Sequence, residues 1–219
     1  MPKKLIIFPF GGNAKEALMS IFDINSIRSE WDILGFIDED GSLQGKDCCG
    51  VKVLGGREIL KKFPEAQVLA VPGNPDNYLK RADIIQGLGA LRSETFAQII
   101  HPSVKISPDS KIGLNTLLMA NIVVSASVNI GSHCVILPNT VISHDSRIGD
   151  YCCIGSNVTI SGSVIIGDNC YIGSGSRLRD NIRVGKRSMI GIGSNVVSDI
   201  DEGVVAAGNP ARIMRKVRP

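Results

Sequence analysis

A chain of 219 residues with 43% hydrophobic side chains is long enough to bury the core of one large domain or two small ones. Its 24 Lys and Arg against 21 Asp and Glu leave a net charge of +3, too small for a nucleic-acid groove, and 21% charged residues exclude a disordered chain. No apolar run approaches the ~18 residues of a membrane helix, and Lys3–Phe8 is too short for a secretory apolar region, so a cytoplasmic protein without membrane insertion is expected.

Residues 1–98 alternate short apolar runs with helical stretches. Leu5–Phe8, Ile33–Ile37 and Val68–Val71 read as strands of a small parallel sheet, a Rossmann-like βαβ arrangement. Ala14, Ala17, Leu18 and Ile21 share one face of a helix from Ala14 to Phe22 with Asn13 as its N-cap, and Tyr78–Leu91 is expected to form a second helix. Gly11, Gly12 and Asn13 lie in the turn between the first strand and first helix, where free N–H groups and the helix dipole favour a phosphate. Asp38 and Glu39 end the second strand, placed to accept hydrogen bonds from a ribose or base. The third strand runs into Gly73 and Asn74 at the same sheet edge. The same glycines equally serve a plain tight turn, and Asp38–Asp40 a solvated acidic one.

From residue 99 the pattern changes. Every sixth residue from Ile106 to Val196, sixteen in all, is Ile, Leu or Val. The position after each is mostly Gly or Ser, and the fourth after each is small or β-branched, as in Thr116, Val128, Cys134 and Thr140. A period of six fits neither a helix nor a flat strand. It fits a three-sided coil in which 18 residues make one turn and residues 18 apart stack at the strand spacing of ~4.8 Å. The uninterrupted register predicts about five coils without a long inserted loop. Cys134, Cys152 and Cys170 then stack as small core residues, which calls for neither metal nor disulfide, and the pair Cys48–Cys49 lacks metal spacing.

The repeat resembles that of the hexapeptide-repeat acyltransferases, and the resemblance implies a left-handed parallel β-helix over residues 99–219, closed by the segment Gly203–Arg212. Known members are trimers that bind an acyl donor between neighbouring subunits. A front domain over residues 1–98 fused to such a solenoid is similar to the bacterial nucleotide-sugar N-acetyltransferases and the related sialic-acid O-acetyltransferases. The resemblance implies that the front domain holds a nucleotide sugar, UDP-linked by analogy, through Gly11, Gly12, Asn13, Asp38, Glu39, Gly73 and Asn74. It implies acetyl-CoA as co-substrate and no metal.

Of the three histidines, His144 lies in Asn139–Asp145, a stretch matching the family's catalytic His followed by an acidic residue. A neutral imidazole, with an unperturbed pKa near ~6.5, suits deprotonation of a sugar amine. Asp145 is the candidate to orient it, although successive strand residues face opposite ways, so the pairing requires a corner. One coil above His144 is Gly162, whose missing side chain leaves space for a thioester. Ser174 and Ile192 share an 18-residue column with Ser156 and, like Cys153, stand at donor-contact positions by resemblance. Relatives place a second His where Cys153 stands. Nine Lys and Arg against four Asp and Glu from residue 172 onward offer charge for the phosphates of CoA or form a solvated tail. The rivals are hydroxyl acetylation, a sugar-nucleotide sensor without turnover, and a carbonic anhydrase needing His101, His133 and His144 to converge.

Overall fold

The computed structural model describes residues 1–89 and 91–217. The front part holds a three-stranded parallel sheet of β1 (Lys3–Phe8), β2 (Trp31–Phe36) and, after a short antiparallel hairpin of β3 (Asp47–Cys48) and β4 (Val51–Lys52), β5 (Gln67–Ala70), in the order β2-β1-β5. Helix α1 (Gly12–Ile27) buries Ala14, Ala17, Leu18 and Ile21 against this sheet. Its N-cap is Gly11, with no side-chain cap. Asn13 does not cap the helix as expected; its Nδ2 donates instead to the carbonyls of Val71 (3.2 Å) and Gly73 (3.0 Å). The second expected helix is a 3-10 turn at Tyr78–Lys80 followed by α2 (Arg81–Gln86), and it stops at Gly87, well short of Leu91. Gly87 and Gly89, the latter at φ +107, interrupt a stretch whose apolar spacing would otherwise continue.

The remainder is a left-handed parallel β-helix of about six turns. Two-residue strands recur every six residues from Lys105–Ile106 to Asn195–Val196 and pair with the strands 18 residues before and after. Three faces result. The first carries Leu117, Val135, Cys153, Tyr171 and Met189; the second carries Val123, Val141, Thr159 and Arg177; the third carries Asn129, Arg147, Ile165 and Arg183. The count exceeds the expected five because Ile99–Ile100 adds a rung before the first hexad and Val204–Gly208 continues the first face beyond the last. Val204–Gly208 then pairs antiparallel with Ala211–Lys216.

The aliphatic column fills the axis: Ile142, Ile148, Ile154, Ile160 and Ile166 belong to one buried cluster with Cys134, Cys152 and Cys170. The three thiols stack as expected, each within 3.2 Å of a carbonyl 15 residues ahead, at Gly149, Gly167 and Gly185. The turns, however, are not made by the glycines that follow the aliphatic residues. Positive φ falls two residues later, at Asn115, Asn121, Ser127, His133, Asn139, Asp145, Tyr151, Asn157, Ser163 and Asn169, each between 50° and 62°. Asn and Asp tolerate this left-handed conformation well. The glycines are needed for close approach between coils: a Cβ on Gly155 would stand 2.5 Å from Ser174 N, and one on Gly173 would stand 2.6 Å from Ile192 N.

Candidate functional site

His144 and Asp145 sit on the edge between the second and third faces. The strand Val141–Ile142 ends there, and Asp145, at φ 60°, turns the chain towards the strand Arg147–Ile148. That corner gives neighbouring side chains a shared direction a strand would deny them. His144 Nδ1 lies 2.7 Å from Asp145 Oδ2, with both side chains open to solvent at 63% and 60% exposure. A carboxylate only accepts, so Nδ1 carries the proton and Nε2 presents a free lone pair. The imidazole lies over Gly162, where a Cβ would stand 2.6 Å from both Cε1 and Nε2. The space predicted for a thioester above Gly162 is therefore taken by the imidazole itself.

The other candidate residues divide between two places. Gly11, Gly12, Asn13, Asp38, Glu39, Gly73 and Asn74 come together at the carboxyl ends of β1, β2 and β5. Asp38 accepts from the N–H of Phe10 and of Asp40, both at 2.9 Å. Glu39 pairs with Arg57 at 3.0 Å and accepts from its N–H at 2.9 Å. Asn74 Oδ1 accepts from the N–H of Asp76 (2.9 Å) and of Asn77 (3.0 Å). Of the seven, Asp38 and Glu39 line a cleft of about 400 Å³ together with Pro9, Arg57 and Pro72, whereas Gly11, Gly12, Asn13, Gly73 and Asn74 stand outside its walls. A separate cavity of about 30 Å³ lies among Asn13, Gly73, Val135, Cys153 and Tyr171. Gly73, at φ +141, faces Cys153 so closely that a Cβ would stand 2.8 Å from Sγ.

Cys153 is thus buried under the front domain, and burial pushes its thiol above the usual range despite the nearby Arg81 guanidinium. Ser174 and Ile192 run along the edge between the first and second faces: Ser174 Oγ accepts from Ser156 N at 3.1 Å, and Ile192 is 80% exposed. His144 precedes Cys153 by nine residues, half of one coil, so its edge lies opposite the first face, on which the front domain packs. One copy of the chain does not bring His144 to Gly73 and Cys153. A larger, shallow groove of about 600 Å³ along the third face holds none of the predicted residues; its titratable groups are Arg147, Arg183 and Lys186 with Asp150, Asp168 and Glu202. The groove offers charge but no imidazole or thiol.

The remaining histidines are placed apart. His101 Nε2 meets Asp23 Oδ2 at 2.7 Å, tying the solenoid to α1. His133 lies at the seam between the two parts, stacked on Tyr151 at 4.7 Å and edge-on to Phe96 at 5.0 Å. Burial pushes its imidazole below the usual range. Beneath it, fully buried Asn115 exchanges two hydrogen bonds with Ala70 of β5 (2.8 and 2.7 Å) and donates to His133 Nδ1 at 2.9 Å. Arg81, also fully buried, donates from Nε to Tyr151 O at 3.0 Å and from Nη2 to His133 O. Sequence reasoning missed Asn115 and Arg81. The 18-residue spacing of Asn115, His133 and Tyr151 would have exposed the first, whereas no periodic signal marks Arg81.

Residues 127–162 and 145–180 match the family profile "Bacterial transferase hexapeptide (six repeats)". No curated protein sequence matches the chain. The fold is similar to the acetyltransferase domain of PglB from Neisseria gonorrhoeae in complex with acetyl coenzyme A, with a TM-score of 0.83 and 25% identity over 98% of this chain and 100% of that one. It is similar also to PerB from Caulobacter crescentus in complex with CoA and GDP-perosamine, with a TM-score of 0.82 and 26% identity over 97% of each chain. WeeI from Acinetobacter baumannii shares the fold at a TM-score of 0.81 and 22% identity, over 98% of this chain and 100% of that one. Residues 127–180 thus carry bacterial transferase hexapeptide repeats, and the chain as a whole, a left-handed β-helix behind a Rossmann-like front part, is similar in fold to these acetyltransferase structures.

Proposed function

We propose that the protein is an acetyl-CoA-dependent N-acetyltransferase acting on the amino group of a nucleotide-diphospho-amino-deoxysugar, with His144 as general base. The observation that carries this reading is the His144–Asp145 pair, its Nε2 free on an exposed edge, in a chain that matches the CoA and GDP-perosamine complex over nearly its whole length. Nε2 takes the proton of the sugar amine as nitrogen bonds to the thioester carbonyl carbon. The imidazolium, held by Asp145, returns that proton to the departing sulfur as the C–S bond breaks, leaving an amide and a thiol. The cleft at Asp38 and Glu39 receives the nucleoside, the amino end of α1 the diphosphate, and Gly73 directs the sugar towards the first face. Because His144 lies on the opposite edge, the amine meets the His144 of a second copy, with the donor along Ser174 and Ile192. A closed cyclic trimer satisfies this arrangement in every subunit.

The test is thiol release from acetyl-CoA with UDP- and GDP-linked 4-amino-sugars and their hydroxyl analogues. The first nucleotide is the one the sequence resemblance implies; the second is the one held by the Caulobacter structure. Turnover of an amino-sugar, with His144→Ala lowering kcat about 10²-fold or more while CoA binding persists, is the expected result. Turnover of the hydroxyl analogues alone would replace amide formation by ester formation, and no turnover with any of them would overturn the proposal.

A further inference from the structure

Arg81 brings a full positive charge to the seam, where its two carbonyl partners require only N–H donors. Its side chain is fully buried between the front part and the solenoid, where an apolar residue would fill the space at lower desolvation cost. Nε and Nη2 each find a corner carbonyl, at Tyr151 and His133. Among the described residues Nη1 has no hydrogen-bond partner, and the guanidinium pairs with no carboxylate. Nη1 points at Gly73, which follows Pro72 of the cleft wall: a Cβ on Gly73 would stand 2.5 Å from it. Burial holds the thiol of the neighbouring Cys153 above its usual range, so its sulfur supplies no counter-charge.

The missing negative charge has a natural place. Gly73 is tied through Asn13 to the first turn of α1, whose N–H groups carry no side-chain cap; it lines the small cavity over Cys153, and the preceding residue, Pro72, lines the cleft. An anion seated on that turn lies beside Gly73 and within the field of a desolvated guanidinium, where a charge acts much more strongly than at the surface. We propose that Arg81 is a determinant of diphosphate recognition: it supplies buried positive charge behind the Gly73 loop and so selects nucleoside diphosphates over nucleosides. This rests on the nucleotide-sugar reading and assigns the residue that reads the charge of that ligand.

The experiment compares affinities by calorimetry for UDP and uridine, and for GDP and guanosine, in the wild type, Arg81→Met and Arg81→Lys. Arg81→Gln, which keeps donors for the two carbonyls, replaces the Met variant if that one does not fold. The expected result is a roughly tenfold loss of diphosphate affinity in the neutral variants, unchanged nucleoside affinity, and diphosphate binding largely retained in Arg81→Lys. Equal weakening of diphosphate and nucleoside, or weakening of neither, overturns the role of Arg81 and leaves the nucleotide-sugar reading standing. If the wild type binds no nucleoside diphosphate at all, that reading itself falls, and the role of Arg81 with it.

Discussion

In the solenoid each buried side chain has a counterpart 18 residues away: Ile142 rests under Ile160, and Ile154 under Ile172. At the seam Asn115, His133 and Tyr151 keep the 18-residue spacing, but their side chains differ and their partners in the front part do not repeat. There Asn115 completes the edge of β5 at Ala70, Arg81 spans two corner carbonyls, and His133 stacks on Tyr151 and meets Phe96 edge-on. The solenoid is stabilised by many similar apolar contacts, each replaceable by its neighbours' type. The seam depends on a few polar groups that are fully desolvated and have specific partners. Packing in the first region fixes a scaffold; satisfied hydrogen bonds in the second fix where the cleft lies on it.

The contrast breaks most severely at the axis. Ile160→Ala leaves a cavity in the middle of a continuous column and should destabilise the protein by about 3–4 kcal/mol in chemical denaturation. A loss below about 1 kcal/mol would mean that the column collapses and is not close-packed. At the seam, Asn115→Ala strands the N–H and C=O of Ala70 and should cost about 2–3 kcal/mol. Hydrogen exchange should report it first at Ala70, with the solenoid amides still protected. Uniform loss of protection would show that seam and scaffold unfold as one unit.

The smallest effect is a pH dependence. Burial, with Arg81 adding to it and Asp150 opposing it, holds His133 below its ordinary value, so the unfolded chain takes up this proton before the folded one. Stability is full above the unfolded value near ~6.5 and is lost as pH falls through the folded value. A proton on Nδ1 would also end its acceptance from Asn115. The melting temperature of the wild type should decline below about pH 6.5 more steeply than that of His133→Gln. Parallel curves would remove His133 from the seam's energetics.

What could be read in advance follows the same division. The column from Ile106 to Val196 announced the coil because a repeating fold forces a repeating sequence. The 18-residue step also placed Gly162 against His144, although the imidazole fills the gap itself. The pairing of His144 with Asp145 was uncertain on strand geometry and became clear once Asp145 proved to be a left-handed corner. A run of Asn, Ser and Asp at the same phase, from Asn115 to Asn169, had carried that information. Arg81 was not legible: its role arises from two carbonyls far away in the chain and from the close approach of Gly73, and a lone arginine beginning a short helix carries no pattern. Asn13 misled for a related reason, since its N-cap residue type serves the Gly73 loop.

In the proposed site the imidazole of one copy meets the front-domain cleft of another. Subunit mixing tests it directly, with His144→Ala, which removes the base, and Gly73→Val, which drives a side chain into Arg81 and Cys153 from a backbone at φ +141. Each variant alone should be nearly inactive, and oligomers reassembled from equal amounts should regain about a quarter of wild-type turnover, because one in four interfaces then unites an intact cleft with an intact imidazole. Mixtures no more active than their parents would place both halves of the site within a single chain and contradict the account.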